Sequence, residues 1–249
     1  MKKKKSNNHI IVMATTIMIL FQSCTSDVEN NIQHNESYST NYQIEILAKQ
    51  YGDIYEDIFF KIYQEYKTLS KESIHIDKEK YSKHFINEYM KNLHKKQKEL
   101  LQNDYFTFSR NAYETIDVSK KFPEFIDSIR TIMFNVNLDL LDIKISEFYT
   151  SEDYRELTSE EQQFIKLQLL NLKAARDIIV SIIVKHYKDS FTQSRMSPGD
   201  RMVYSEAASQ MSDEELDRAI SLGMQGISWV TVPVVGTIIA VVDFVSALF

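Results

Sequence analysis

From Tyr42 onward, apolar residues recur three and four positions apart: Ile44, Leu47, Tyr51, Ile54, Tyr55, Ile58, Phe59, Ile62, Tyr63, Tyr66 and Leu69. That spacing puts them on one face of an α-helix. A second stripe, Tyr81, Phe85, Ile86, Tyr89, Leu93, Leu100 and Leu101, predicts a helix from about Lys78 to Phe108 with lysines on its outer side. The third opens at Pro123, whose fixed φ and missing N–H suit a first helical turn. It runs through Phe125, Ile129, Ile132, Met133, Val136, Leu140, Ile143 and Phe148. The fourth starts at Thr158-Ser159-Glu160-Glu161, which has the form of a capping box. Its stripe is Phe164, Ile165, Leu167, Gln168, Leu169, Leu172, Ile178, Ile179, Ile182, Ile183 and Tyr187. No run alternates with period two for long enough to predict a sheet. Four helices, each apolar on one side, must cover one another, so the expected fold class is all-α: an antiparallel bundle of about four long helices.

A turn at Ser197-Pro198-Gly199-Asp200 separates residues 42–196, the bundle, from residues 197–249, a C-terminal helical unit with a hydrophobic tail. A second capping box, Ser212 to Glu215, opens a short helix expected to stop near Gly223 or Gly226. From Ala219 to Val242 there are 24 residues without a charge, and six more follow Asp243. This length permits a membrane span. Pro233 and Gly236 interrupt it, however, Asp243 would lie in or near hydrocarbon, and no Lys or Arg follows to anchor the far end. Three readings of the tail stay open. It fills the core as a helix broken at Pro233, in which case Asp at Val235 or Ile239 should unfold the body. It inserts into a bilayer. Or it meets a partner, with Ile227–Val232 and Thr237–Val242 as short strands. Trp229, Pro233, Gly236 and Asp243 are the candidate membrane or partner contacts.

The N-terminus carries Lys2 to Lys5 followed by the mostly apolar run Ile10 to Phe21, a pattern expected of an export signal. The run is too short to span a bilayer. It ends in Phe21-Gln22-Ser23-Cys24, which resembles the lipobox of bacterial lipoproteins and the relaxed boxes of Bacteroidetes-like species. Ser23 fits the small residue before the cysteine; Phe21 and Gln22 depart from the usual pattern. The resemblance implies that residues 1–23 are a removed signal, that Cys24 is the acylated residue, and that lipid on it holds the protein to the bacterial cell envelope. Thr25, where an inner-membrane retention signal would carry Asp, points to the outer membrane. Cys24 is the single cysteine, so no disulfide forms within the chain. Residues 24–41 read as a disordered tether: the 17 polar residues after Cys24 would span roughly 23 Å as a coil.

Charge narrows the partners. The chain has 29 basic and 35 acidic residues. Without the four lysines of residues 1–23 the balance is 25 to 35, a net charge near −10 that gives no face for nucleic acid. Only five Gly and three Pro punctuate 249 residues, in keeping with long helices.

Candidate chemistry is sparse. Glu72 and His75 form an E-x-x-H, the helical spacing of carboxylate-bridged di-iron bundles, without a second copy. His84 and Glu88 lie one turn apart, a spacing that can ligate a metal. Asp139, Asp142 and Glu147 group on the third helix, and Asp53, Glu56 and Asp57 on the first; paired carboxylates serve acid–base work or hard cations. Each reads more simply as the wet face of an amphipathic helix. There is no G-x-S-x-G, phosphate-cradling glycine loop or H-E-x-x-H, and acylated Cys24 would leave no thiol for catalysis. No cofactor, metal or catalytic residue is expected. Asp127-Ser128-Ile129 resembles the short O-glycosylation motif of Bacteroidetes.

Two further resemblances concern the C-terminal region. An acidic helical bundle with a hydrophobic C-terminal hairpin looks like the pore-forming domains of colicins, which would put Pro233 to Gly236 at the hairpin tip. Met211 to Gly226 is similar to the double-glycine leader of peptide bacteriocins, though Gly223 and Gly226 are not adjacent. The expectation drawn from the whole chain is a lipid-anchored envelope protein with a non-enzymatic binding or structural role. The alternative is a membrane-active, pore-forming or doubly anchored protein whose tail inserts. The partners expected are the membrane, through lipid on Cys24, and another envelope protein.

Overall fold

The computed structural model describes residues 37–72, 75–95, 97–98, 121–192, 203–229 and 234–249. The signal segment, Cys24, residues 99–120, the Ser197–Asp200 turn and Pro233 lie outside these residues. All regular structure among the described residues is helical. The helices are α1 (Ser37–Lys71), α2 (Lys78–Asn92), α3 (Lys121–Arg130), α4 (Asp139–Thr150), α5 (Glu152–Arg155), α6 (Ser159–Thr192), α7 (Tyr204–Ala208), α8 (Asp213–Gln225) and α9 (Val234–Leu248), with a 3-10 turn at Gly226–Ser228.

Two helices dominate. α1 has 35 residues and α6 has 34, so each is about 50 Å long. Every residue of the α1 stripe except Leu69 is buried, and every one of the α6 stripe except Tyr187. The two run parallel: Glu45 pairs with Lys166, Gly52 faces Ala174 and Lys67 pairs with Asp189, pairings that advance together along both helices. Chain neighbours, by contrast, are antiparallel as expected. Tyr81 of α2 donates to Glu65 of α1 and Tyr89 to Asp57, so the pairing runs in opposite senses. α4 meets α6 in the same manner, with Asp142 against Lys173 and the Leu138 carbonyl accepting from Arg176.

Both capping boxes form. The Glu161 amide donates to Thr158 Oγ1 (3.3 Å) while the Thr158 amide donates to Glu161 Oε2 (2.7 Å), and Ser212 and Glu215 close the same reciprocal pair at the start of α8. Pro123 is in the first turn of α3. α8 ends at Gln225, where Gly226 begins the 3-10 turn.

Four expectations are corrected. The second predicted helix, expected to reach Phe108, ends at Asn92, where Leu93 leaves helical geometry with its amide donating to the Tyr89 carbonyl. α1 opens at Ser37, five residues before Tyr42. The third predicted helix is two, α3 and α4, because Asn135 and Asn137 turn the chain: Asn135 Oδ1 accepts from the Asn137 amide and Asn137 Oδ1 from Asp139. Asn side chains compete for backbone donors in this way and favour turns over helix interiors. The break also resets the register, so Val136 and Ile143, assigned to the apolar stripe, are exposed while Leu141, Ile145 and Phe148 are buried. Finally, Thr237–Val242 is helical rather than a strand.

Candidate functional site

The tail folds as α9, an uninterrupted apolar helix apart from Asp243, and eight of its 15 residues are buried: Val234, Thr237, Ile238, Val241, Val242, Phe244, Val245 and Leu248. All but Thr237 belong to the same hydrophobic cluster as residues of the α1 and α6 stripes. Val235 and Ile239 are on the open side, 40% and 51% exposed. The expectation that Asp at either would unfold the body is therefore corrected, since the helix turns those two positions outward.

Among the residues proposed as contacts, Trp229 is enclosed, 1% exposed. Its ring stacks on Tyr55 at 4.1 Å between centroids, and its carbonyl accepts from the Tyr55 hydroxyl. Burial holds the Tyr55 phenol neutral far above its usual range, with an opposing hydrogen bond to Thr237 of α9. The chain enters this region through a tight approach: a Cβ on Gly226 would lie 2.6 Å from Ala175 Cβ and 2.9 Å from the Asn171 carbonyl. Gly236 is half-buried. Asp243 is at the surface, where Lys78 of α2 (3.2 Å) and Arg218 of α8 (2.9 Å) share its carboxylate. It thus ties three helices together, and Arg218 is itself shared with Glu214.

Beside Asp243, a cavity of about 480 Å³ opens where the C-terminal end of α1, the start of α2 and the end of α9 converge. Tyr66, Ile76 and Phe249 give it apolar walls; Ser70 and Ser246 bring hydroxyls, and His75 and Lys78 complete the rim. Phe249 packs on Tyr63 (5.6 Å between centroids) and edge-on to His186 (4.8 Å), yet is 43% exposed. Tyr66 is 2% exposed, and its hydroxyl has no partner among the described residues. Leaving such a group unpaired costs about 1–3 kcal/mol. Burial, with a smaller contribution from Asp243, pushes its pKa up to about 12, so it is a neutral donor.

A second cleft of about 420 Å³ follows the seam of α1 and α6, floored by Ala48, Gly52, Ala174 and Ile178 with Glu56 and Asp177 above. Here the acidic residues are largely engaged: Asp53 pairs with Lys49, Glu45 with Lys166 and Asp177 with Arg176.

The sequence's metal and acid–base candidates disperse. Glu72 and His75 do not share a helix face, because α1 ends at Lys71; His75 instead joins the end cavity. His84 and Glu88 are exposed on α2 and border a small cleft with Lys61 and Glu65. Glu147 pairs with Lys144 and Asp57 with Lys61. No group of three or more potential metal ligands occurs among the described residues. Asp142 is more than a wet-face carboxylate. Burial would raise its pKa, but Lys173 and Arg176 together hold it below the usual value. Arg176, 5% exposed, also donates to the Leu138 carbonyl and to Asp177, fixing the α3–α4 turn against α6.

Sequence reading missed Arg176, Asn171 and the end cavity. The signal for the first two was present: both fall within the α6 stripe, and a polar residue at a core position of a helix is the informative exception. Asn171 is fully buried, and its amide has no partner among the described residues. The cavity could not be read, since its walls come from three separate segments. Comparison of the chain with known protein families, curated proteins and solved structures finds no match.

Proposed function

We propose that this chain is an exported bacterial lipoprotein, held to the cell envelope by lipid on Cys24, most simply at the outer membrane, whose helical body has a non-enzymatic binding role. The observation that carries the reading is the placement of α9. With seven residues in the shared core, the tail has a structural task, which supports reading the N-terminal segment as the membrane-directed one. At 15 residues α9 measures about 22 Å, against a hydrocarbon core of roughly 30 Å. No helix among the described residues is long and apolar enough to cross a membrane. The end cavity is walled by hydroxyls and aromatic rings, with His75 and the paired Lys78 at its rim, a lining that supports a role in holding a molecule.

The test is the full-length chain carrying Cys24→Ala behind a functional cleavable signal, fractionated and washed with alkaline carbonate. The expected result is release into the soluble fraction, with the unsubstituted chain staying in the membrane pellet. Retention of the substituted chain in the pellet without aggregation would overturn the reading in favour of a tail that inserts, as an anchor or pore element.

A further inference from the structure

We infer that the end cavity bounded by Tyr66, Ser70, Ser246 and Phe249 is a binding site for an uncharged polyhydroxylated ring, a pyranose sugar being the chemical class that fits. The inference deepens the binding role proposed above and depends on that role, not on the lipid anchor.

Size comes first: about 480 Å³ lies within the roughly 300–1,000 Å³ of small-molecule sites. The lining then selects the chemistry. Phe249 is a large ring, 43% exposed, yet fixed from behind by Tyr63 and His186. A half-open aromatic at a cavity edge, packed against two other rings, suits the apolar C–H face of a saturated ring, whose slightly positive hydrogens meet the negative face of the π-system. Opposite polarity is supplied by Ser70, whose hydroxyl can donate and accept, and by Ser246, whose hydroxyl already donates to the Asp243 carbonyl (2.7 Å) and so is left to accept. Tyr66, in the same wall, has a buried hydroxyl without a partner among the described residues, and a ligand hydroxyl would provide one.

Charge argues against an ionic ligand. Lys78 is answered by Asp243, and Arg218, the other cation on Asp243, is answered by Glu214. The rim's lysine is therefore already engaged by a carboxylate and is not free to fix an anion. An uncharged molecule with an apolar face and several hydroxyls satisfies both halves of the lining.

The experiment is saturation-transfer NMR on the full chain in detergent, with glucose and N-acetylglucosamine as probes and benzoate as a charged aromatic comparator. The same spectra on the Cys24→Ala chain separate the two proposals, because sugar binding should be unchanged by loss of the lipid site. The expected result is transfer to the ring C–H protons of at least one sugar. Phe249→Ala should weaken that sugar at least tenfold, and Ser70→Trp, a surface change that fills the cavity, should abolish the signal. Ile239→Ala, on the far open side of α9, should leave it unaltered. Absence of transfer to either sugar, transfer undiminished in Ser70→Trp, or binding of benzoate in place of both sugars would overturn the inference.

Discussion

Helices α2 and α9 have the same length, 15 residues each, and lie against one another, yet they are built on opposite plans. α9 buries eight residues and carries a single charge. α2 buries three, Ser82, Phe85 and Tyr89, and meets water with Lys80, Lys83, Glu88 and Lys91. The first is a piece of core that happens to be helical; the second is a cover held by one aromatic edge, by the Tyr81–Glu65 and Tyr89–Asp57 hydrogen bonds and by the exposed Lys78–Asp243 ion pair. A hydrophobic segment is therefore not in itself a membrane segment. What decides is whether neighbouring helices offer an apolar stripe to receive it, and α1, α6 and α8 do so here.

The sharpest way to break this comparison is to place a charge on each side of α9. Ile238→Asp, at a fully buried position, should cost about 4 kcal/mol or more, the range of an unpaired buried charge, and abolish the cooperative thermal transition followed by circular dichroism. Ile239→Asp, one residue on and 51% exposed, should stay within about 0.5 kcal/mol of the parent. Equal losses from the two would mean that α9 is not docked by the face described. On α2, Phe85→Ala removes a ring that is 4% exposed and stacked 5.6 Å from Tyr89. Large-to-small changes of this type cost about 3–5 kcal/mol, and urea unfolding should show a loss toward the lower end if α2 is only a cover.

Protonation probes the end where α9 meets α6. Burial lowers the His186 pKa, Lys67 adds to the effect, and Glu215 and Asp189 oppose it. The folded state thus binds this proton less readily than the unfolded chain, so stability contributed by neutral His186 is present above the ordinary value of 6.5 and is lost as pH falls below it. The urea midpoint should drop between pH 7.5 and 5.5, and His186→Gln should flatten that part of the dependence. Glu215 acts lower on the scale: burial pulls its pKa up, but Ser212 and Tyr187 outweigh this, so its contribution disappears only as pH falls below 4.5. The smallest effect is expected at the contact joining the two helices. Asp243→Asn removes an exposed carboxylate shared by Lys78 and Arg218, and surface ion pairs of this kind contribute about 0–1 kcal/mol. A melting shift much larger than a few degrees would show that α2 is pinned chiefly by charge.

Periodicity was enough to read the long elements. The α1 and α6 stripes are legible because a 3.6-residue repeat sustained over about seven turns has no competing explanation, and the two capping boxes marked helix starts correctly. It was not enough for α3 and α4, where two asparagines diverted the backbone and turned Val136 and Ile143 out of the stripe while Phe148 stayed in it. Nor could it give direction. A stripe predicts that a helix needs a partner, not which partner or in what sense, and the parallel course of α1 and α6 follows from an even number of reversals between them. The tail was ambiguous for a related reason: length and hydropathy are the same for a core helix and a membrane one, and only the buried positions Ile238, Val241 and Val245 set against exposed Val235 and Ile239 separate them.

That parallel pair also constrains how the chain reaches its native state. Residues facing each other across α1 and α6 are 121 or 122 positions apart along nearly their whole length, so no hairpin between sequence neighbours can zip them together. The intervening helices must first return the chain to its starting end, and the entropy of closing so long a loop comes before the contacts that reward it. For an otherwise local, helical architecture, the rate-limiting event should be the meeting of its two longest elements.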